Sequence, residues 1–306
     1  MEKLITSTTA YRIFTGDLSL KRLSHAYMLY FSDQYNLRSA LKLFALAFFG
    51  VSADCRDGRM IADESFPDMK IYPAPDKKIT VDDASEIVDD CALKPVERDK
   101  KLYVVCGFES ASPLVQNKLL KVLEEPPRGV HFLLGATSLA PVLATVKSRV
   151  KLLEIPPFSD GEIFLALERL SKNPLNRAAA ESAEGVLGAA ENALKGEWFG
   201  QVNAAAEEIC SVKEIDKAAQ CAVKYGDTKY KTELLSAMER VYARQLKNII
   251  SNGDTAGAIY EKPVYIYALE SINSAFADLK FNANFSSLLY DFTLRVIMEN
   301  DKWKRL

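Results

Sequence analysis

Ser148 and Arg149 stand together at the far end of a short helical stretch. An isolated guanidinium in that position bonds the last carbonyls of its own helix and complements the helix dipole. A second group of candidates is acidic: Asp82, Asp83, Asp89 and Asp90 fall within one short segment. Four carboxylates suggest a metal or acid/base cluster, but no complementary ligand set accompanies them, and a solvated acidic helix face is the expectation. Cys55, Cys91, Cys106, Cys210 and Cys221 are scattered without a CxxC pair. That pattern reads as reduced thiols of a cytoplasmic protein. With only His25 and His131 besides, no metal site and no cofactor are expected.

The elements that must position the Ser-Arg pair lie between Ser112 and Val150. From Leu114 to Leu123 the leucines at 119, 120 and 123 recur at helical spacing, with Gln116, Asn117 and Lys118 between them. Glu124-Glu125-Pro126-Pro127 ends this helix, because proline disfavours helical angles in the residue before it and lacks an N–H. Val130 to Ala136 is an apolar run of strand length, and a second helix from about Ala140 to Lys147 delivers Ser148-Arg149.

NKLLKVLEEPP, then FLLGATS, then SR resembles the AAA+ clamp-loader family of DNA replication, and within it the δ′-type subunits of bacterial DNA polymerase III. The resemblance implies that Ser148-Arg149 lies at a subunit interface. Arg149 would then be an arginine finger reaching ATP bound by the neighbouring subunit. Many relatives carry a four-cysteine zinc module after the first helix; only Cys55 lies in that region here.

The resemblance also locates a nucleotide site. His25 to Phe31 reads as a strand and Leu37 to Phe49 as a helix, and in active relatives this turn is the P-loop, GxxxxGK[ST]. Its backbone N–H groups cradle phosphates, its lysine reaches the outer phosphates, and its hydroxyl binds magnesium. In this chain Phe31, Gln34 and Asn36 stand at the glycines, Leu37 at the lysine and Arg38 at the Ser/Thr, and no Gly-Lys pair occurs anywhere. Side chains crowd the approach of phosphate, and leucine cannot neutralise it. Lys101 to Val105 is a buried strand whose end carries the Walker B Asp-Glu in relatives; Cys106 and Gly107 occupy those positions. Glu109 is the nearby carboxylate that could act as a displaced substitute. In the GxxGxA-like segment Gly185–Ala190, Ala189 stands where a sensor arginine is common.

Strands and helices alternate to about residue 155, which implies a mostly parallel sheet covered by helices. The expected organisation is an α/β AAA+ P-loop-type domain at 1–155, a small helical lid at 156–196 and an all-α collar at 197–306. Pro156-Pro157 forms a hinge, and Ser159 with Glu162 makes a capping box. Collar helices are expected to break at Gly226-Asp227, Asn252-Gly253-Asp254, Pro263 and Asn282-Ala283-Asn284. Among Tyr265, Tyr267, Phe276 and Phe281, some would be core and others would face a neighbouring subunit.

The resemblance implies a non-hydrolysing stator whose partners are τ/γ and δ subunits, the β sliding clamp and primer–template DNA. The net charge of −2 gives no overall basic field, so DNA contact would rest on backbone amides and residues such as Lys94, Arg98 and Lys100. No apolar run is long enough to span a bilayer, and the amino terminus lacks a signal-peptide core. Two other readings stay open: a τ/γ-like ATPase with a divergent P-loop, and an interaction scaffold outside replication.

Overall fold

The computed structural model describes residues 1–252 and 258–304. The chain forms two compact units: Met1–Ser171 with Ala183–Ala189, and Lys172–Ser182 with the chain from Ala190 onward.

The first unit opens with α1 (Glu2–Ser7) and α2 (Thr9–Ser19), which lead into β1 (Ala26–Phe31) and α3 (Leu37–Phe49). There follow α4 (Arg56–Ala62), β2 (Met69–Tyr72), α5 (Val81–Asp90), β3 (Lys101–Cys106) and α6 (Pro113–Glu124). The sequence then runs through β4 (Val130–Ala136), α7 (Ala144–Lys147), β5 (Lys151–Ile155) and α8 (Asp160–Leu170).

The strands form one five-stranded sheet in the order β2-β3-β4-β1-β5. Every pairing is parallel, with Met28 opposite Leu134 on one side and Leu152 on the other. Central strands covered on both faces need continuous apolar sequence, and AYMLYF and VHFLLGA supply it. The chain leaves β1 toward one edge of the sheet, and β5 lies on the opposite side of β1. The β1–β4 boundary is therefore a topological switch point, and loops at its carboxyl ends border a crevice suited to ligands.

Helix α3 buries Leu37, Ala40, Leu41, Phe44, Ala45 and Phe48 along one face and stops at Gly50 in the left-handed region. The second helix of the Ser-Arg stretch is shorter than its sequence pattern: α7 begins at Ala144, because the Leu143 N–H donates to the Gln116 side chain instead of starting an earlier turn. Ser159 and Glu162 form the reciprocal capping box at α8.

The second unit contains α9 (Asn176–Ser182), α11 (Glu197–Cys210), α12 (Ile215–Tyr225), α13 (Lys231–Asn252), α14 (Ala258–Lys280) and α15 (Phe285–Lys304). Helix α10 (Leu187–Lys195) begins in the first unit and ends in the second. Its core gathers Val202, Ile209, Leu235, Met238, Ala268, Ile272, Leu289 and Phe292. The break expected at Pro263 is absent, since α14 runs through it. A proline inside a helix costs about 3 kcal/mol. Burial of Val264, Ala268, Ile272 and Ala275 along this helix offsets that cost. The Asn282 turn does separate α14 from α15, with Asn282 at φ 58°. Helix α13 continues to Asn252, and the rest of the Asn252-Gly253-Asp254 break lies outside the described residues. Tyr265, Tyr267 and Phe276 are half-buried, whereas Phe281 is 85% exposed.

Candidate functional site

The turn between β1 and α3 is organised by a residue that sequence reasoning passed over. Asp33 is wholly buried, at 0% exposure. Its Oδ1 accepts the N–H groups of Tyr35 and Asn36, both at 3.1 Å. Its Oδ2 accepts the Asn36 side-chain amide at 2.9 Å and the Gly188 N–H at 2.7 Å. A Cβ on Gly188 would lie 2.5 Å from Asp33 Oδ1 and 2.5 Å from Tyr35 Cβ, so only glycine fits. Phe31 is buried against Phe158, Gln34 is exposed, and Leu37 is buried in the first turn of α3.

Arg38 turns away from this cradle. Its Nε donates to Glu64 at 2.7 Å and a second nitrogen donates to the Pro73 carbonyl at 2.8 Å. Lys42 pairs with the same Glu64 at 2.8 Å. The Arg38 hydrogen bond, reinforced by Lys42 and opposed by burial, holds Glu64 at about 2. Arg38 is correspondingly raised, first by Glu64, with a smaller contribution from Cys106. Burial pushes the Cys106 thiol up, which disfavours a thiolate ligand or nucleophile. Gly107 sits at φ 71°, a backbone conformation that a Walker B acidic residue would adopt only with strain. Glu109 accepts both the Thr137 N–H (3.2 Å) and the Thr137 hydroxyl (2.6 Å), tying the end of β4 to the turn after β3.

The Ser-Arg end is positioned by Gln116, a second residue the sequence did not single out. Buried on α6, it donates to the Ala111 and Pro141 carbonyls at 2.9 and 3.1 Å and accepts the Leu143 N–H at 2.9 Å. These bonds fix the approach to α7. A polar residue between helical leucines was the available signal, but its partner at Leu143 is remote in sequence. Arg149 is half-buried; its Nε donates to Glu124 at 3.1 Å and another nitrogen to the Thr145 carbonyl at 2.9 Å. Ser148 is exposed, and its hydroxyl donates to the same carbonyl at 3.0 Å. The two candidates are therefore adjacent, on a surface shared with Glu124.

The acidic segment is only partly a solvated face. Asp82 and Asp89 are exposed. Asp83 closes a capping box with Thr80. Asp90 pairs with Lys101 at 2.6 Å and Lys70 at 3.1 Å and accepts the Tyr103 hydroxyl. Burial opposes its ionisation, yet these three donors hold Asp90 at about 2. Among the described residues no group of three or more His, Cys, Asp or Glu could hold a metal ion. Cys55 caps α4, its sulfur accepting the Gly58 N–H. Of the basic candidates, Lys94 is exposed, Arg98 pairs with Asp57, and Lys100 lies over the Phe48 ring. The backbone that carries Arg98 is held by the buried Asp68, which accepts the N–H groups of Glu97 (2.8 Å) and Arg98 (2.7 Å).

The sequence model of the family described as DNA polymerase III, delta subunit, matches residues 6–159, just over half of the chain, which takes in the whole sheet and helices α2 to α7. The chain belongs to this family. It is thus a clamp-loader AAA+ protein of the DNA polymerase III type. Curated relatives include the Haemophilus influenzae DNA polymerase III subunit delta′, 35% identical over 31% of this chain and 29% of that protein. The tau/gamma subunit of the same organism is 33% identical over 42% of this chain and 20% of its own length. Bacillus subtilis delta′ is 24% identical over 50% of this chain and 48% of its own length. This family member therefore spans between a fifth and about half of the length of these relatives. Among solved structures, a gamma subunit-related protein from Thermotoga maritima is similar with a TM-score of 0.42, at 16% identity over 96% of this chain and 100% of that one. A RuvB mutant from the same organism scores 0.44 at 13% identity, over 78% of this chain and 76% of its own. Among the described residues no helix is long and apolar enough to cross a membrane.

Proposed function

We propose that this chain is a δ′-type subunit of a cytoplasmic DNA polymerase III clamp loader, a stator without ATPase activity of its own. In this reading it joins τ/γ and δ subunits in a ring and helps load the β sliding clamp on primed DNA. The chain divides into an AAA+ domain at 1–155, a lid at 156–196 and a collar at 197–306. One pairing carries the reading: a strand-to-helix turn without a phosphate-binding lysine coexists with an arginine presented beyond α7. Leu37 is buried and Arg38 is engaged by Glu64, so neither serves a nucleotide in cis. Arg149 keeps a partly exposed guanidinium whose acidic partner, Glu124, is itself exposed, and such a pair exchanges readily for a better anion. An arginine aimed from outside at the charge building on a transferring phosphoryl group speeds hydrolysis by about 10³ or more.

The test is DNA- and clamp-stimulated ATPase of a complex rebuilt from the same organism's subunits, with wild-type chain and with Arg149→Ala. A loss of roughly 10³ in turnover, with assembly intact by size exclusion, is expected. Unchanged turnover would leave the chain at most a structural ring member and move the scaffold reading ahead. The similarity to tau/gamma subunits favours one further reading, an ATPase with a divergent P-loop. Saturable ATP binding by the isolated chain would select it.

A further inference from the structure

We propose that the second unit holds a small-molecule site between the end of α11 and helices α13, α14 and α15, shaped for a flat aromatic ligand with a ring N–H and an acidic substituent. The cavity there measures about 740 Å³, inside the roughly 300–1,000 Å³ typical of ligand pockets. Such a space takes a whole small molecule, more than the one side chain by which a docking protein commonly anchors. Val264, Val296 and Ile297 give it an apolar floor, and all three are buried. Tyr242, Tyr260 and Tyr265 add aromatic walls. The Tyr242 and Tyr265 rings stand 6.1 Å apart and tilted by 44°, so they do not stack on one another. A flat ring gains most from walls of this kind.

Two polar groups of the lining are poorly served by the chain itself. Gln245 lines the cavity, yet its Oε1 is buried and accepts no hydrogen bond. An acceptor left in that state carries a desolvation cost, which a donor removes. Turning the amide into the cavity brings it to the N–H of a ligand. The Tyr242 hydroxyl, on a residue only 3% exposed, has the Cys210 thiol as its hydrogen-bond partner, and sulfur is a weak acceptor. Cys210 in turn directs its own proton to the Met238 carbonyl at 3.9 Å. The charged residues of the lining, Lys213, Lys304 and Glu261, are all exposed, and their net positive charge favours an acidic substituent at the mouth. An aromatic carboxylate and a nucleotide share this chemistry. Every lining residue named belongs to the second unit, so the site is independent of the function proposed above.

The experiment titrates the full chain with four probes by isothermal calorimetry and locates binding by hydrogen–deuterium exchange. Indole-3-acetate and thymidine 5′-monophosphate each carry a ring N–H and an anion, one as carboxylate and the other as phosphate. The tighter of the two identifies the source. 1-Naphthylacetate keeps a flat ring and the carboxylate but lacks the N–H, and indole keeps the N–H without the anion. At least one of the first two should bind saturably and slow exchange in peptides covering 209–213, 258–266 and 294–300. 1-Naphthylacetate should bind about tenfold more weakly than indole-3-acetate, the effect of leaving a buried acceptor unpaired. Gln245→Leu should abolish that difference. Should Gln245→Leu not fold, the exposed Lys213→Glu decides: it should weaken indole-3-acetate about threefold and leave indole unchanged. Absence of saturable binding by both anionic N–H probes, or protection confined to other peptides, overturns the proposal. So does equal affinity of wild type for the two acids, or a folded Lys213→Glu that binds indole-3-acetate as wild type does.

Discussion

Replacing Arg38 by serine, the residue type a magnesium-binding turn carries there, tests whether this guanidinium serves the fold or a ligand. Arg38 is the leading reason that Glu64 is held at about 2 instead of its ordinary 4.5. A difference of that size corresponds to roughly 3 kcal/mol at 1.36 kcal/mol per pH unit. The two side chains keep 21% and 22% of their surface in solvent, and Lys42 remains after the substitution, so screening reduces the loss to about 1–2 kcal/mol. The orphaned Pro73 carbonyl adds about 1 kcal/mol. Arg38→Ser should therefore cost about 2–3 kcal/mol at neutral pH. Because the folded-state pKa of Glu64 is depressed, its contribution is fully present above about pH 4.5 and disappears as pH falls toward 2. The deficit of the variant must shrink through that window. Urea unfolding followed by far-UV circular dichroism is the suitable assay, since Trp198 and Trp303 both lie in the second unit and fluorescence would miss the first. A loss below about 0.5 kcal/mol at pH 7, or one independent of pH down to the acid limit, would refute the structural role of Arg38.

Two further outcomes follow from the same geometry. Gln116→Leu removes both donors to the Ala111 and Pro141 carbonyls and the acceptor for Leu143, and should destabilise the first unit by about 3 kcal/mol. Exchange at 139–150 should rise with it, and a near-neutral effect in urea unfolding would show that α7 is positioned otherwise. Asp90→Asn should cost about 2 kcal/mol at pH 7, because Lys101 and Lys70 lose their counter-charge. Asp90 is held at about 2, below its ordinary 3.8, so the difference from wild type fades as pH drops through that interval. Parallel acid titrations by circular dichroism check this, and a constant gap would contradict it.

Much of the α/β framework was legible along the chain because its signals are local. Apolar runs of strand length at 26–31, 101–106 and 130–136 need no distant partner to be recognised, and the stop at Glu124-Glu125-Pro126-Pro127 is written in proline chemistry. The capping box at Ser159 and Glu162 is equally local. By contrast, α1, α4 and β5 are short, and they gain definition only by packing in the first unit. Pro263 was misleading for a related reason: its intrinsic cost is readable, but the burial that outweighs it belongs to the surrounding helices.

The sequence by itself determined that the β1–α3 turn has neither the glycines nor the lysine of a phosphate site, since those identities are read residue by residue. It likewise put Arg149 directly after a helical stretch. What occupies the turn was decided only in three dimensions. Asp33 meets Gly188 across 155 positions of sequence, Arg38 meets Glu64 across 26, and Gln116 meets Leu143 across 27. None of these residues announces its partner, because an aspartate, arginine or glutamine is equally compatible with solvent until the fold buries it. Burial then makes an unpaired polar group costly, and the tertiary structure selects the partners that satisfy it.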